Sequence, residues 1–272
     1  MFWNSADPEL GLAVLRAWND YHLDVWAAAY PERIIPLQIP WLADVELAAE
    51  EVRRNAARGF KAVSFPELPA HSSIGSLHTK KWDPFFAACE ETGTVLCLHT
   101  GSAQWAPFPS PDMPFEAITT LFPAHALIAA ADWLWSQVPV RFPKLNIMFA
   151  EGGIGWAGML ADRADFVLAH SASGSEGGSW KSDLKPSEVL RRNFWLCSID
   201  DPTAFGTAQA IGIDHILVES DYPHADSTWP DTQEVVAVNL AHLSADDRAK
   251  ITHRNAAGLF RHPLPDASWL DG

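Results

Sequence analysis

The chain has 272 residues, 48% of them hydrophobic and 19% charged, so it is globular and long enough for one barrel-sized domain. A formal net charge of −15 speaks against nucleic acid or an anionic membrane as a partner, although a local cation still permits a small acidic substrate. Three irregularly spaced cysteines, Cys89, Cys97 and Cys197, point to a reduced, cytoplasmic protein, and neither a signal-peptide pattern nor an apolar run of about 18 residues is read in it.

The predicted elements alternate helix and strand. Residues 8–29 carry Leu10, Val14, Leu15, Trp18, Tyr21 and Val25 at spacings of three and four, a helical period closed by Pro31. A short buried strand follows at 33–40, with Pro36 and Pro40 marking irregular or rim positions. The next helix, 44–58, has Asp44 as N-cap and Gly59 as its stop. Strand 60–67 leads to a helix at 82–93, opened by Asp83-Pro84 and ended by Gly93. Residues 94–101 form a strand, 115–142 are mostly helical, and 144–153 return to strand. A helix at 155–170 and a loop at 171–180 precede a strand at 193–200. A helix over 203–212 comes next, then a strand at 215–223 and two helices near 231–241 and 245–260. Repeated strand–helix units of this spacing predict an all-parallel sheet in a single α/β domain, residues 1–272.

Three of these strands end abruptly in an ionisable residue. VLCLHTGS delivers His99, LNIMFAEGG delivers Glu151, and HILVESDYPH delivers Asp221 with His224 behind it. In parallel α/β barrels the chemistry sits at the C-terminal ends of the strands. Each residue alone has a plain alternative: His99 as a satisfied core histidine, Asp221 as a cap or a partner of Arg163, Glu151 as a structural salt bridge. Together they predict one pocket with a metal at its centre, because imidazole and carboxylate are the ligands that zinc, manganese and iron take. His224 and Asp226 read as supporting groups or as an exposed loop pair. His71 and His78 are candidates for a substrate loop. Cys97 and Cys197 read as buried packing residues. Of thirteen tryptophans, Trp105, Trp156 and Trp229 lie nearest the candidate site in sequence.

The stretches DPELGLAVLRAWNDY, RIIPLQIPW, GFKAVSFPE, WDPFFAACEETG, VLCLHTGS, RFPKLNIMFAEGGIGW, SDYPHADSTWP and ITHRNAAGLF occur in this order across nearly the whole chain. The set resembles amidohydrolase family 2, the decarboxylase-like branch of the amidohydrolase superfamily. The resemblance implies a (β/α)₈ TIM-barrel fold with a divalent metal at its C-terminal mouth, zinc first, with manganese or iron as alternatives. His99 matches the metal-binding histidine of the fifth barrel strand, and Asp221 the aspartate of the eighth. Glu151 stands where the decarboxylases carry a catalytic histidine. That departure leaves it three roles: ligand of a second metal, holder of a metal-bound water, or general base.

The family's first strand carries a paired His-x-His or Asp/Glu-x-His motif, and no strand before residue 33 supplies one. The barrel is therefore expected to be incomplete at its N-terminus, with partial metal occupancy and with sheet edges that a homo-oligomer would cover.

The expected activity is metal-dependent hydrolysis of a small ester, thioester, lactone or amide. His99, Glu151 and Asp221 would hold the metal, Asp221 and Glu151 would be catalytic, and His224, Trp156 and Trp105 would contact substrate. The alternatives are decarboxylation of an aromatic or unsaturated acid, and a non-catalytic remnant that has lost its metal.

Overall fold

The computed structural model describes residues 4–103, 110–175 and 178–264. Six parallel strands form one sheet in chain order: β1 (Leu37–Gln38), β2 (Ala62–Pro66), β3 (Val95–His99), β4 (Ile147–Ala150), β5 (Phe194–Ser198) and β6 (Ile216–Val218). Each strand pairs with the next, from Leu37 opposite Ala62 at one edge to Ser198 opposite Val218 at the other. Among the described residues β1 and β6 do not pair with each other.

Helix α1 (Pro8–Tyr21) starts at Asp7, whose carboxylate accepts the Leu10 N–H, and runs on through a π-helical turn at His22–Trp26. It lies along α2 (Val45–Arg58), and Arg16 and Arg54 both grip the buried Glu51. Asp44 caps α2 through the N–H groups of Glu46 and Leu47, and Gly59 ends it at φ 121°, both as predicted. Asn19 of α1 is fully buried and faces Ile39, just past β1. Its amide N–H donates to the Ile39 carbonyl at 3.0 Å, and its oxygen accepts the Ile39 N–H at 2.9 Å. One side chain thus supplies the hydrogen bonds that a further strand would supply.

Three predicted segments differ in detail. The strand expected at 33–40 is paired only at Leu37–Gln38, because Pro36 and Pro40 offer no N–H to a ladder. Asp83 does not cap α3 (Asp83–Thr92). It is the first residue of that helix, and its carboxylate takes the Arg141 guanidinium at 2.9 Å. The long helix expected at 115–142 is broken into α4 (Phe115–Thr120), α5 (Phe122–Trp135) and α6 (Val138–Arg141). Pro123 opens the second piece, and Gln137, left-handed at φ 65°, precedes the third. The Phe115–Trp135 stretch, of mean hydropathy 1.3, is by composition long and apolar enough to cross a membrane, which the sequence reading missed. Here α5 turns Ala126, Ala129, Ala130, Trp133 and Leu134 into the core.

The remaining helices are α7 (Ala157–His170), α8 (Pro186–Asn193), α9 (Ala208–Ile211), α10 (Thr232–Asn239), α11 (Ala245–Ala249) and α12 (Asn255–Phe260). Two apolar layers follow from the two-residue period of the strands. One face packs against the surrounding helices. There Phe65 sits 5.2–5.9 Å from the rings of Trp82, Phe85, Phe86 and Trp133. The other face collects Ala62, Val95, Cys97, Cys197 and Leu217 over Leu259 and Phe260 of α12. Cys97 and His99 lie two residues apart on that second face, so the layer leads from an apolar floor to the ends of the strands.

Candidate active site

His99, Glu151 and Asp221 converge at the C-terminal ends of β3, β4 and β6. Glu151 Oε1 lies 2.9 Å from His99 Nε2. Asp221 receives the ring of His224, with Nδ1 2.9 Å from both carboxylate oxygens. One donor atom each from Glu151, Asp221 and His224 fall within 4.8 Å of one another. Both acids sit in the left-handed region at φ 57°, which side chains other than glycine rarely adopt. Gly152 follows Glu151 because α5 presses close: a Cβ there would meet the Ala126 methyl at 2.6 Å. Gly153, at φ 63°, faces the Asp201 carboxylate instead.

The hydrogen bonds fix much of the protonation. His99 Nδ1 is 2.7 Å from the Thr100 carbonyl, which can only accept, so this nitrogen carries a proton and Nε2 faces Glu151. The hydrogen bond that the ring donates to Glu151 raises the His99 pKa to about 9, against the opposing effect of burial. The same bond holds Glu151 below the usual carboxylate range. Asp221 moves the other way, pushed up by burial and then by the charge of Glu151. The two carboxylates are hydrogen-bonded to each other, and their interaction works to raise Asp221 and lower Glu151. His224 is raised by its bond to Asp221.

Two acids that the sequence reading passed over complete the cluster. Glu219 stands two residues before Asp221. Its carboxylate accepts the Glu151 N–H, and burial lifts its pKa to about 7. Glu67, just after β2, is fully buried and also lifted to about 7 by burial. It accepts the Gly101 N–H at 2.6 Å and so holds the loop that follows His99. The signal for Glu219 was present: residues i and i+2 of a strand end face the same way.

A cavity of about 260 Å³ opens beside His99, walled by Leu15, Ile39, Leu42, Phe65 and Cys97. A second, of about 190 Å³, lies beyond Glu151 and is walled by Phe122, Asp200, Asp201 and Asp226. Cys97 therefore lines a cavity as well as packing, and Asp226 faces the second one. The other candidates fall elsewhere. Trp156 is buried, with its indole N–H on the Gly152 carbonyl at 2.8 Å, and it supports the Glu151 loop from below. Trp229 is exposed and meets Tyr222 edge-on. His78 pairs with Asp132, and Arg163 lies over the Phe166 ring. Trp105 lies outside the described residues.

The donor set suits a divalent cation. Glu151, Asp221 and His224 offer the oxygen and nitrogen ligands that manganese and zinc accept, with His99 joined to them through Glu151, and among the described residues these acids form no salt bridge with lysine or arginine.

The sequence profile of the amidohydrolase family matches residues 5–262. Among solved structures, a 5-carboxyvanillate decarboxylase from Sphingomonas paucimobilis superposes with a TM-score of 0.77 at 24% identity, over 94% of this chain and 75% of that one. An amidohydrolase from Mycobacterium avium subspecies paratuberculosis gives 0.73 at 26% identity, over 93% of this chain and 66% of that one. A dihydroxybenzoic acid decarboxylase from Polaromonas, with bound manganese and the inhibitor 2-nitroresorcinol, gives 0.73 at 21% identity, over 94% of this chain and 77% of that one.

Proposed function

The chain belongs to the amidohydrolase family, and on that premise we propose that it is a metal-dependent decarboxylase of a small aromatic or unsaturated acid. The observation that carries this reading is the convergence of His99, Glu151, Asp221 and His224 at one end of the sheet, with an apolar cavity against His99. The superposed enzymes named as decarboxylases of carboxyvanillate and dihydroxybenzoate favour this chemistry over hydrolysis.

His99, Glu151 and Asp221 would hold the cation, with His224 beside them. A bound divalent ion supplies charge that polarises the carboxylate side of the substrate and lowers the cost of developing negative charge. Manganese accompanies the Polaromonas relative, and zinc remains the alternative from the ligand types.

The rest falls to the side chains. Loss of carbon dioxide leaves an electron pair on carbon, and that carbon must take up a proton. Asp221 would be the residue that hands a proton to that carbon, and His224, hydrogen-bonded behind it and exposed to solvent, would pass a proton to Asp221 after each turnover. The Thr100 carbonyl fixes the ring of His99, while Glu219 and Glu67 fix the loops that carry Glu151 and His99.

A second reading has one specific observation in its favour. Glu151 is held ionised by His99, as a general base for water would be. The experiment separates the two. Protein loaded with Mn²⁺ or Zn²⁺ is offered aromatic and unsaturated acids, with carbon dioxide release as the readout, and in parallel a set of esters, thioesters and lactones. Release of carbon dioxide that a chelator abolishes supports decarboxylation. Ester or lactone cleavage with no carbon dioxide from any acid overturns it.

A further inference from the structure

We propose that the substrate is a monocarboxylic acid whose body is apolar and the size of one small ring with a short substituent, seated between α1, β1 and β2 with its carboxylate turned toward His99. This rests on the decarboxylase reading for the reaction, but its own ground is the wall of one cavity. Leu15 comes from α1, Ile39 and Leu42 from the segment after β1, and Phe65 from β2. Apart from His99, the side chains in the wall that bear oxygen are Ser64 and Ser102. Ser102 already accepts the Glu67 N–H. Among the described residues no lysine, arginine, asparagine or glutamine lines the cavity.

That wall restricts the substrate by charge. A second carboxylate at the far end of the molecule would be buried among Leu15, Leu42 and Phe65, with no cation among the described lining residues to meet it. An unpaired buried carboxylate is among the costliest groups to desolvate, and a net charge of −15 adds repulsion. The polar end of the cavity is the one at His99, where the strands end, so the cavity orients a molecule with one charged end toward the site and one bare end away from it.

The volume restricts it by size. At about 30 Å³ for each water-sized atom, a cavity of about 260 Å³ holds about eight or nine heavy atoms. A six-membered ring with a two- or three-atom substituent fills it, leaving the carboxylate outside, at the ends of the strands.

Two ring acids of equal size test the charge rule: 4-nitrobenzoate and terephthalate differ only in whether the far group is neutral or anionic. Their dissociation constants are measured by calorimetry on the whole protein, with Mn²⁺ and again with chelator. At least tenfold tighter binding of 4-nitrobenzoate is expected in both conditions. In Ser64→Lys that ratio should fall below one; Ile39→Lys serves if the first variant does not fold, as judged by circular dichroism. Equal or tighter binding of terephthalate by the unaltered protein overturns the proposal. A ratio unmoved by a folded lysine variant places the ligand elsewhere and overturns it too. Preferential binding with no carbon dioxide release from any acid supports this cavity while sinking the decarboxylase reading.

Discussion

Replacing Glu151 by glutamine should collapse the elevated pKa of His99. In the unaltered protein the imidazole is lifted from 6.5 to about 9, chiefly by the hydrogen bond it donates to Glu151 at 2.9 Å. At 1.36 kcal/mol per pH unit this span corresponds to about 3.4 kcal/mol in favour of the imidazolium. The ring is more than half exposed, so solvent screening reduces the usable stabilisation to roughly 1–2 kcal/mol. A raised folded-state pKa stabilises the fold below the unfolded value. This contribution is therefore complete below about pH 6.5 and disappears as pH rises through about 9. The glutamine variant should lack this pH dependence, because glutamine carries no charge to hold the proton. Two measurements check it on chelator-treated protein: an NMR titration of the His99 ring, and urea unfolding at pH 6 and pH 9.5 for both proteins. A His99 midpoint near 6.5 in the unaltered protein, or the same pH dependence in the variant, would refute the reasoning. One corollary is direct. A cation and a proton compete for Nε2, so Mn²⁺ added at pH 7 should release protons into a weakly buffered solution.

Three other outcomes follow from the geometry. Asp221→Asn should lower turnover by about 10²–10⁴-fold, the usual worth of a positioned acid or base, with an unchanged circular dichroism spectrum; a folded variant of full activity would pass the role to Glu151 or Glu219. Phe86→Ala should cost about 3–5 kcal/mol of stability, since its ring is buried 5.5–5.8 Å from Phe65, Phe85 and Trp133, and a loss below about 1 kcal/mol in urea would mean that this aromatic layer is loosely packed. Leu10, Val14, Trp18, Tyr21 and Val25 form an exposed stripe along α1. With Trp26 and Tyr30 it offers roughly 600 Å² to a second copy, about 1,200 Å² between two copies, at the lower end for a stable interface. Light scattering should report a dimer that Trp18→Glu dissociates, and a monomer at high concentration would exclude that use of the stripe.

The strand ends were legible because burial makes them so. An apolar run such as VLCL or ILV that stops at His99 or in Glu219-Ser220-Asp221 has reached the rim of a core, and an ionisable residue placed there is seldom accidental. Asp44 and Gly59 were legible for a local reason: cap geometry involves residues only a few positions apart. What stayed hidden depended on partners distant in sequence. Glu67 looks like the acid that ends a strand, and only the fold shows it buried under the loop after His99. Trp156 looked like a pocket wall because it is near Glu151 in sequence, but its indole turns down to the Gly152 carbonyl. His224 was left between a supporting role and an exposed loop, and the decision rested on a turn that brings it back to Asp221. Leu15 as a cavity wall was out of reach, since its helix meets β1 through Asn19 rather than through any pattern in either segment.

The left-handed backbone at Glu151 and Asp221 has a consequence for how this sequence can drift. A side chain at φ 57° costs roughly 1–2 kcal/mol relative to ordinary conformations, somewhat less for aspartate, and glycine removes the cost. At these two positions the torsion favours glycine while the proposed chemistry requires an acid. Selection for heat resistance alone should therefore remove the carboxylates, and selection for turnover should retain them and seek compensation elsewhere. A library randomised at 151 and 221 and divided between those two selections would make the conflict visible in the residues recovered.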